Sequence, residues 1–331
     1  MPRPPRPRVH RAAALTVGVA AVRAVAVVVP LTVAAGLGRP AVGAAGSFGA
    51  YLMVAAFSSL SGRPRGTVLL VGALGLGLWA AAGALAAALP SALVAGTAVV
   101  AALQGLWEVA GGPLRMAASM AALSFLLAEI NLAPGVRWWQ YAAGFAGGAL
   151  WQAGVIAVTG PASGPTPARC VADLRARARE GAPYATTVVA TGVLGVATAW
   201  FLPIPHAVWL ATSALRVTKP DTVTRHGRAR DRVVGTIGGG MIAALLLTPP
   251  LTVPQRATIV AVTLCAMHLA GAAHYGWWTL CLTVVALSFD MRHGAGDWQL
   301  AAVRMGLTVA GAALALAVGG LTDRCGARPP P

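Results

Sequence analysis

Hydrophobic residues run along this chain in long blocks separated by short polar joints. Twelve apolar segments can be drawn, near 12–36, 41–60, 67–89, 91–110, 114–130, 138–158, 184–202, 206–218, 233–249, 254–272, 274–290 and 300–320. Most approach the ~20 residues that carry a helix across ~30 Å of hydrocarbon. In lipid every backbone N–H and C=O must be paired within the segment, so each block is predicted to be a helix. The fold class expected is all-α, a polytopic transmembrane bundle of about twelve helices.

The polar joints carry a second pattern. With the N-terminus placed inside, the clusters Arg3–Arg11, Arg63 with Arg65, Arg169–Arg179 and Lys219–Arg232 all fall on one side, as do Arg115, Arg324 and Arg328. Arg39, Arg137, Arg256 and Arg292 fall on the other, with Arg304 at a helix edge, while Arg23 and Arg216 lie within helices. The bias places both termini in the cytoplasm by the positive-inside rule, and an even number of spans follows. The first block is too long for a signal-peptide core and is read as an uncleaved helix.

The two halves resemble each other. A helix ends at Gly38-Arg39-Pro40 in the first and at Pro203-Ile204-Pro205 in the second; ALSFLLAEI closes on Glu129, and TVVALSFDM carries Asp290. Six helices per half predicts two parallel pseudo-repeats about an axis along the membrane normal, with a site at their interface. The division expected is a first half over 1–160, a cytoplasmic linker with a short basic amphipathic segment over 161–183, a second half over 184–322 and a tail over 323–331.

Composition agrees with lipid as the solvent. Hydrophobic residues make up 57% and charged ones 10%, where a soluble domain has about 25% charged; the mean hydropathy is +0.72. The net charge of +16 sits in short loops, which suits topology and anionic headgroups better than nucleic acid. Cys170, Cys265, Cys281 and Cys325 form no metal or disulfide pattern, and no P-loop, dinucleotide fingerprint or GxSxG is present. No cofactor, no metal and no ATP-driven step is expected.

Ionisable groups within membrane helices are costly and functional by default. Arg23 lies near the middle of the first segment, where charge costs at least ~2.5 kcal/mol, and can hold a carboxylate bidentately. Glu129 and Asp290 occupy matching places in the two halves and, with Glu108 and His268, are candidates for proton coupling. The plainer alternatives are headgroup positions for Glu129 and Asp290, an ion pair with Arg115 for Glu108 and a surface turn for His268 and His274. The tryptophans near helix ends are accounted for by interfacial belts or, for Trp209, a stacking site. Gly235 and Gly239 have the small-xxx-small spacing of a tight helix contact and, with Thr236, form a packing motif.

The run Arg232-Val233-Val234-Gly235-Thr236-Ile237-Gly238-Gly239, preceded by His206, Trp209 and a basic loop, is similar to the Arg-x-x-Gly-Thr-x-x-Gly signature of the fusaric-acid-resistance (FUSC-like) family of integral membrane transporters, which includes aromatic acid exporters. The resemblance covers roughly 185–290 clearly and 12–160 more loosely. Many members carry a cytoplasmic domain between the halves; here only 160–183 is available. The resemblance implies efflux of small organic acids, aromatic carboxylates among them, across a bacterial inner membrane. Combined with the intramembrane charges and the lack of an ATP motif, it gives the expectation of a secondary exporter driven by the proton gradient, and no enzyme activity is expected. Substrate contacts are expected from Arg23, Trp209, Arg228 and Arg232. The expected partners are the lipid bilayer, a small anionic substrate and, as an open option, a second copy in a homo-oligomer. A membrane-embedded enzyme acting on a lipid-soluble substrate, or a non-transporting structural subunit, are the alternatives.

Overall fold

The computed structural model describes residues 17–58, 65–110, 115–160, 167–271, 274–289 and 298–326. They form twelve helices and, among the described residues, no strand: α1 (Val17–Gly36), α2 (Pro40–Phe57), α3 (Arg65–Ala86), α4 (Pro90–Ala110), α5 (Arg115–Asn131), α6 (Trp138–Thr159), α7 (Pro167–Trp200), α8 (Trp209–Val217), α9 (Thr222–Leu246), α10 (Val253–Ala270), α11 (Tyr275–Ser288) and α12 (Trp298–Gly326). Helices α1, α2, α3, α4, α6, α7, α10 and α12 each hold a stretch long and apolar enough to cross a bilayer. Lipid-facing surface follows directly: Leu70, Val71, Leu74 and Leu78 of α3 and Val262 of α10 stand at least half exposed.

Helix pairing obeys the repeat. Contacts α1–α2, α2–α6, α3–α5, α3–α6 and α4–α5 in the first half recur as α7–α8, α8–α12, α9–α11, α9–α12 and α10–α11 in the second. The halves join through α4 on α7 and, symmetrically, α1 on α10. Small residues allow the close approaches: a Cβ on Gly148 of α6 would strike the Gly46 carbonyl of α2, and one on Gly311 of α12 the Leu210 carbonyl of α8.

Two segments depart from the hydropathy pattern. The basic run 219–232, expected as a loop, is mostly helix. Asp221 caps α9 by accepting the Thr224 backbone N–H at 2.7 Å. Arg225, Ala229, Arg232, Gly235, Thr236 and Gly239 then fall on one buried face at helical spacing. Arginines on that face lower the local hydropathy and hide the helix from a transfer-scale window. The basic stretch after residue 167, expected as a separate interfacial helix, is continuous with the seventh apolar segment in α7, with Pro183 inside it.

Helix α8 is far shorter than a span. Pro203 and Pro205 precede it, His206 takes a positive φ of 58° in the turn, and Lys219-Pro220 ends the run. All nine of its residues are buried. Its counterpart α2 is the most buried of the long apolar helices, so the repeat places α2 and α8 at the centre.

Candidate functional site: a cationic cavity between the halves

At that centre six helices enclose a cavity of about 30 Å³. Phe48, Tyr51 and Leu52 come from α2, Leu123, Leu127 and Asn131 from α5, Trp209, Thr212 and Arg216 from α8, Arg232 from α9, Leu282 and Ala286 from α11, and Arg304 from α12. Helices of both halves therefore build it. The volume exceeds the roughly 10–15 Å³ that one water needs, and is too small for an aromatic acid. Three guanidinium groups reach this space, and no Asp or Glu is among its lining residues.

Each arginine is placed by its helix. Arg216 is the penultimate residue of α8 and 8% exposed. Its Nη1 donates to Ser119 Oγ of α5 at 2.9 Å, and its guanidinium stands 5.2 Å from the centre of the Trp278 ring. Arg232 lies on the buried face of α9 and is 4% exposed. Nε and Nη2 of Arg216, Nε and Nη1 of Arg232, and Tyr51 Oη are buried without a hydrogen-bond partner among the described residues. Arg304 stands over the Trp209 ring at 4.4 Å, and His206 stacks on Trp209 with ring centres 4.7 Å apart. Because α8 rises about 1.5 Å per residue, Trp209 and Arg216 are about 10 Å apart along the helix axis. The cavity thus has an Arg304–Trp209 end and an Arg216–Arg232 end.

An aromatic group surrounds the second end. Trp278 packs 6.4 Å from Tyr51 and 6.1 Å from Tyr275, while Arg228 covers Tyr275 at 4.0 Å. Tyr275 and Tyr51 both lie in the fields of Arg216 and Arg232. Helix α9 can bring Arg232 to this depth because Gly235 and Gly239 let it press on α11. A Cβ on Gly235 would meet the Gly276 carbonyl and Thr279, and one on Gly239 the Leu280 carbonyl and Thr283. Thr236 beside them is buried.

The structure therefore brings Trp209 and Arg232 into the cavity, with Arg228 one aromatic ring away. Arg23 does not reach it. That side chain is fully buried in α1 and clamps the far ends of neighbouring helices, donating to Thr159 Oγ1 at 3.0 Å, Thr159 O at 3.3 Å and Ser58 O at 3.4 Å. Glu108 of α4 sits in an ion pair, 2.9 Å from Lys219 Nζ and 3.8 Å from Arg115. Glu129 is half-buried near the end of α5, two residues before the cavity-lining Asn131. His268 is half-buried on α10, its Nδ1 2.6 Å from the Leu264 carbonyl. Asp290 lies outside the described residues.

Arg216, Arg304 and Tyr51 were not singled out in the sequence. Arg216 satisfied the criterion that selected Arg23, an arginine inside an apolar segment, but its segment was the shortest of the twelve. Trp138, Trp139, Trp277 and Trp298 are at least 44% exposed, whereas Trp209 turns inward and is 3% exposed.

Residues 186–318 match the family model described as fusaric acid resistance protein-like, which bears out the resemblance read from the Arg232–Gly239 run. Neither the comparison with curated proteins nor that with solved structures returns a match. Eight helices are long and apolar enough to cross a bilayer, so this is a multi-pass membrane protein, and its residues 186–318 are similar to the fusaric acid resistance protein-like family.

Proposed function

We propose, on the premise that α7–α12 is a fusaric acid resistance protein-like half, that the protein is a secondary exporter of small organic acids, aromatic carboxylates among them. The observation that carries this reading is the cavity at the junction of the halves, where Arg216, Arg232 and Arg304 meet Trp209, Tyr51 and Phe48. Guanidinium groups bind carboxylates through charge-assisted hydrogen bonds, and aromatic faces pack the ring. Export across a bacterial inner membrane, with the basic end of the bundle in the cytoplasm, fits the arginine distribution along the sequence.

The cavity as it stands is narrower than such a substrate, so loading requires the halves to part. Alternating access by movement of one six-helix half against the other would provide this. Proton coupling fits the Glu108–Lys219 pair, which ties α4 of one half to the α8–α9 turn of the other. Protonating Glu108 would loosen that tie and free the segment that carries Arg216 and Arg232. Glu129, Asp290 and His268 are the other proton-handling candidates.

Efflux of a radiolabelled aromatic acid from loaded proteoliposomes, with and without an imposed proton gradient, tests the reading. Gradient-dependent efflux that fails in E108Q or in E129Q with D290N supports coupling. Efflux indifferent to the gradient removes it, and absence of efflux for every acid tried favours a structural role.

A further inference from the structure

Around the Arg216–Arg232 end of the cavity, donors outnumber acceptors. Four guanidinium N–H sites and the Tyr51 hydroxyl, on α8, α9 and α2, have no hydrogen-bond partner among the described residues. Both arginines are at least nine-tenths buried, and both line the same cavity with Tyr51. The Ser119 hydroxyl accepts one Arg216 N–H at 2.9 Å and the Trp278 ring lies 5.2 Å from the guanidinium, but neither carries a negative charge. Burying an ion without a partner costs several kcal/mol, and here there are two like charges. Those contacts fall short, and no Asp or Glu among the described residues lines the cavity, which leaves the two guanidinium groups open to an added anion.

Size limits what that charge can be. A cavity of about 30 Å³ accepts a single small ion and not a ring-bearing acid. We infer that, in this closed arrangement, Arg216, Arg232 and Tyr51 bind a small inorganic anion, a halide, which the organic acid displaces when the halves part. The inference rests on the reading of the cavity as the substrate's path. It adds that the carrier is an anion exchanger at this site: the two guanidinium groups pass from organic to inorganic anion and are not left bare between cycles.

Chlorine-35 NMR on the full-length protein in nanodiscs tests it, with benzoate as the organic probe and equilibrium dialysis of labelled benzoate alongside. The expected result is an excess chloride linewidth that benzoate titrates away. R216Q and R232Q should each reduce that excess severalfold. Y51F, which keeps the ring and removes one donor, should reduce it in part and covers the case in which the arginine variants do not fold. Excess linewidth absent from the wild type, or present but unchanged by benzoate and by all three variants, overturns the inference. Benzoate binding without chloride binding overturns it while leaving export intact; binding of neither removes both.

Discussion

Lys219 Nζ lies 2.9 Å from Glu108 Oε1, and this contact joins the last turn of α4 to the turn between α8 and α9. Glu108 is only 9% exposed and Lys219 16%, and Arg115 approaches the same carboxylate oxygen at 3.8 Å. Breaking a buried pair from one side leaves the other charge without a partner, a loss of about 3–5 kcal/mol when burial is complete. With residual solvent here, E108Q is expected to lower the melting temperature clearly. The double variant E108Q/K219M should lose less than the sum of the singles, measured by thermal unfolding in detergent.

Glycines along α9 separate packing from helix propensity. G239A is expected to destabilise by about 1–3 kcal/mol, as overpacking does, because its Cβ would press on the Leu280 carbonyl and Thr283. G227A meets nothing within 4 Å and should be neutral or stabilising by up to about 1 kcal/mol, the helix-propensity gain. Equal melting temperatures for the two variants would contradict the α9–α11 contact.

Arg23 is predicted to hold helices and not substrate. R23Q should lower thermal stability, since it removes donors to Thr159 and Ser58. In the fraction that folds, the half-saturating concentration for an exported acid should be unchanged. A large rise in that concentration would return Arg23 to the substrate path.

The α9 cap gives a pH signature. The backbone N–H of Thr224 holds the Asp221 carboxyl below its ordinary value of 3.8. A depressed carboxylate contributes stability above its unfolded value that is lost as pH falls through the folded one. Stability at the start of α9, followed by hydrogen exchange of the Thr224 and Arg225 amides, should therefore fall below pH 3.8 in the wild type. In D221N the cap is kept by a neutral side chain, and this acid step should disappear.

The features legible in the sequence were those written in long-range apolarity and in repeated landmarks. The Pro turns before α2 and α8 and the two ALSF runs in α5 and α11 announced the twofold arrangement, which the helix contacts repeat. Arg232 and Trp209 were found because a signature and a turn flanked them. What escaped was determined by direction. Whether Arg216 faces lipid, a headgroup or the cavity depends on the rotation of a nine-residue helix. That rotation is set by Gly311 against Leu210 and by the Ser213–Thr308 contact at 3.3 Å, both more than ninety positions away in sequence. The helix over 222–232 was missed for a related reason. Its buried face contains the very arginines that a hydropathy window reads as solvent-exposed.

Arg232 provides the most direct test of the central claim that this cavity carries organic anions. Labelled benzoate efflux should be compared between proteoliposomes holding wild-type protein and those holding R232Q, at equal reconstitution and with matched circular dichroism. Removing charge-assisted hydrogen bonds worth about 1.5–3 kcal/mol should slow efflux at low substrate by about tenfold to a hundredfold. Efflux by R232Q at the wild-type rate would contradict the account.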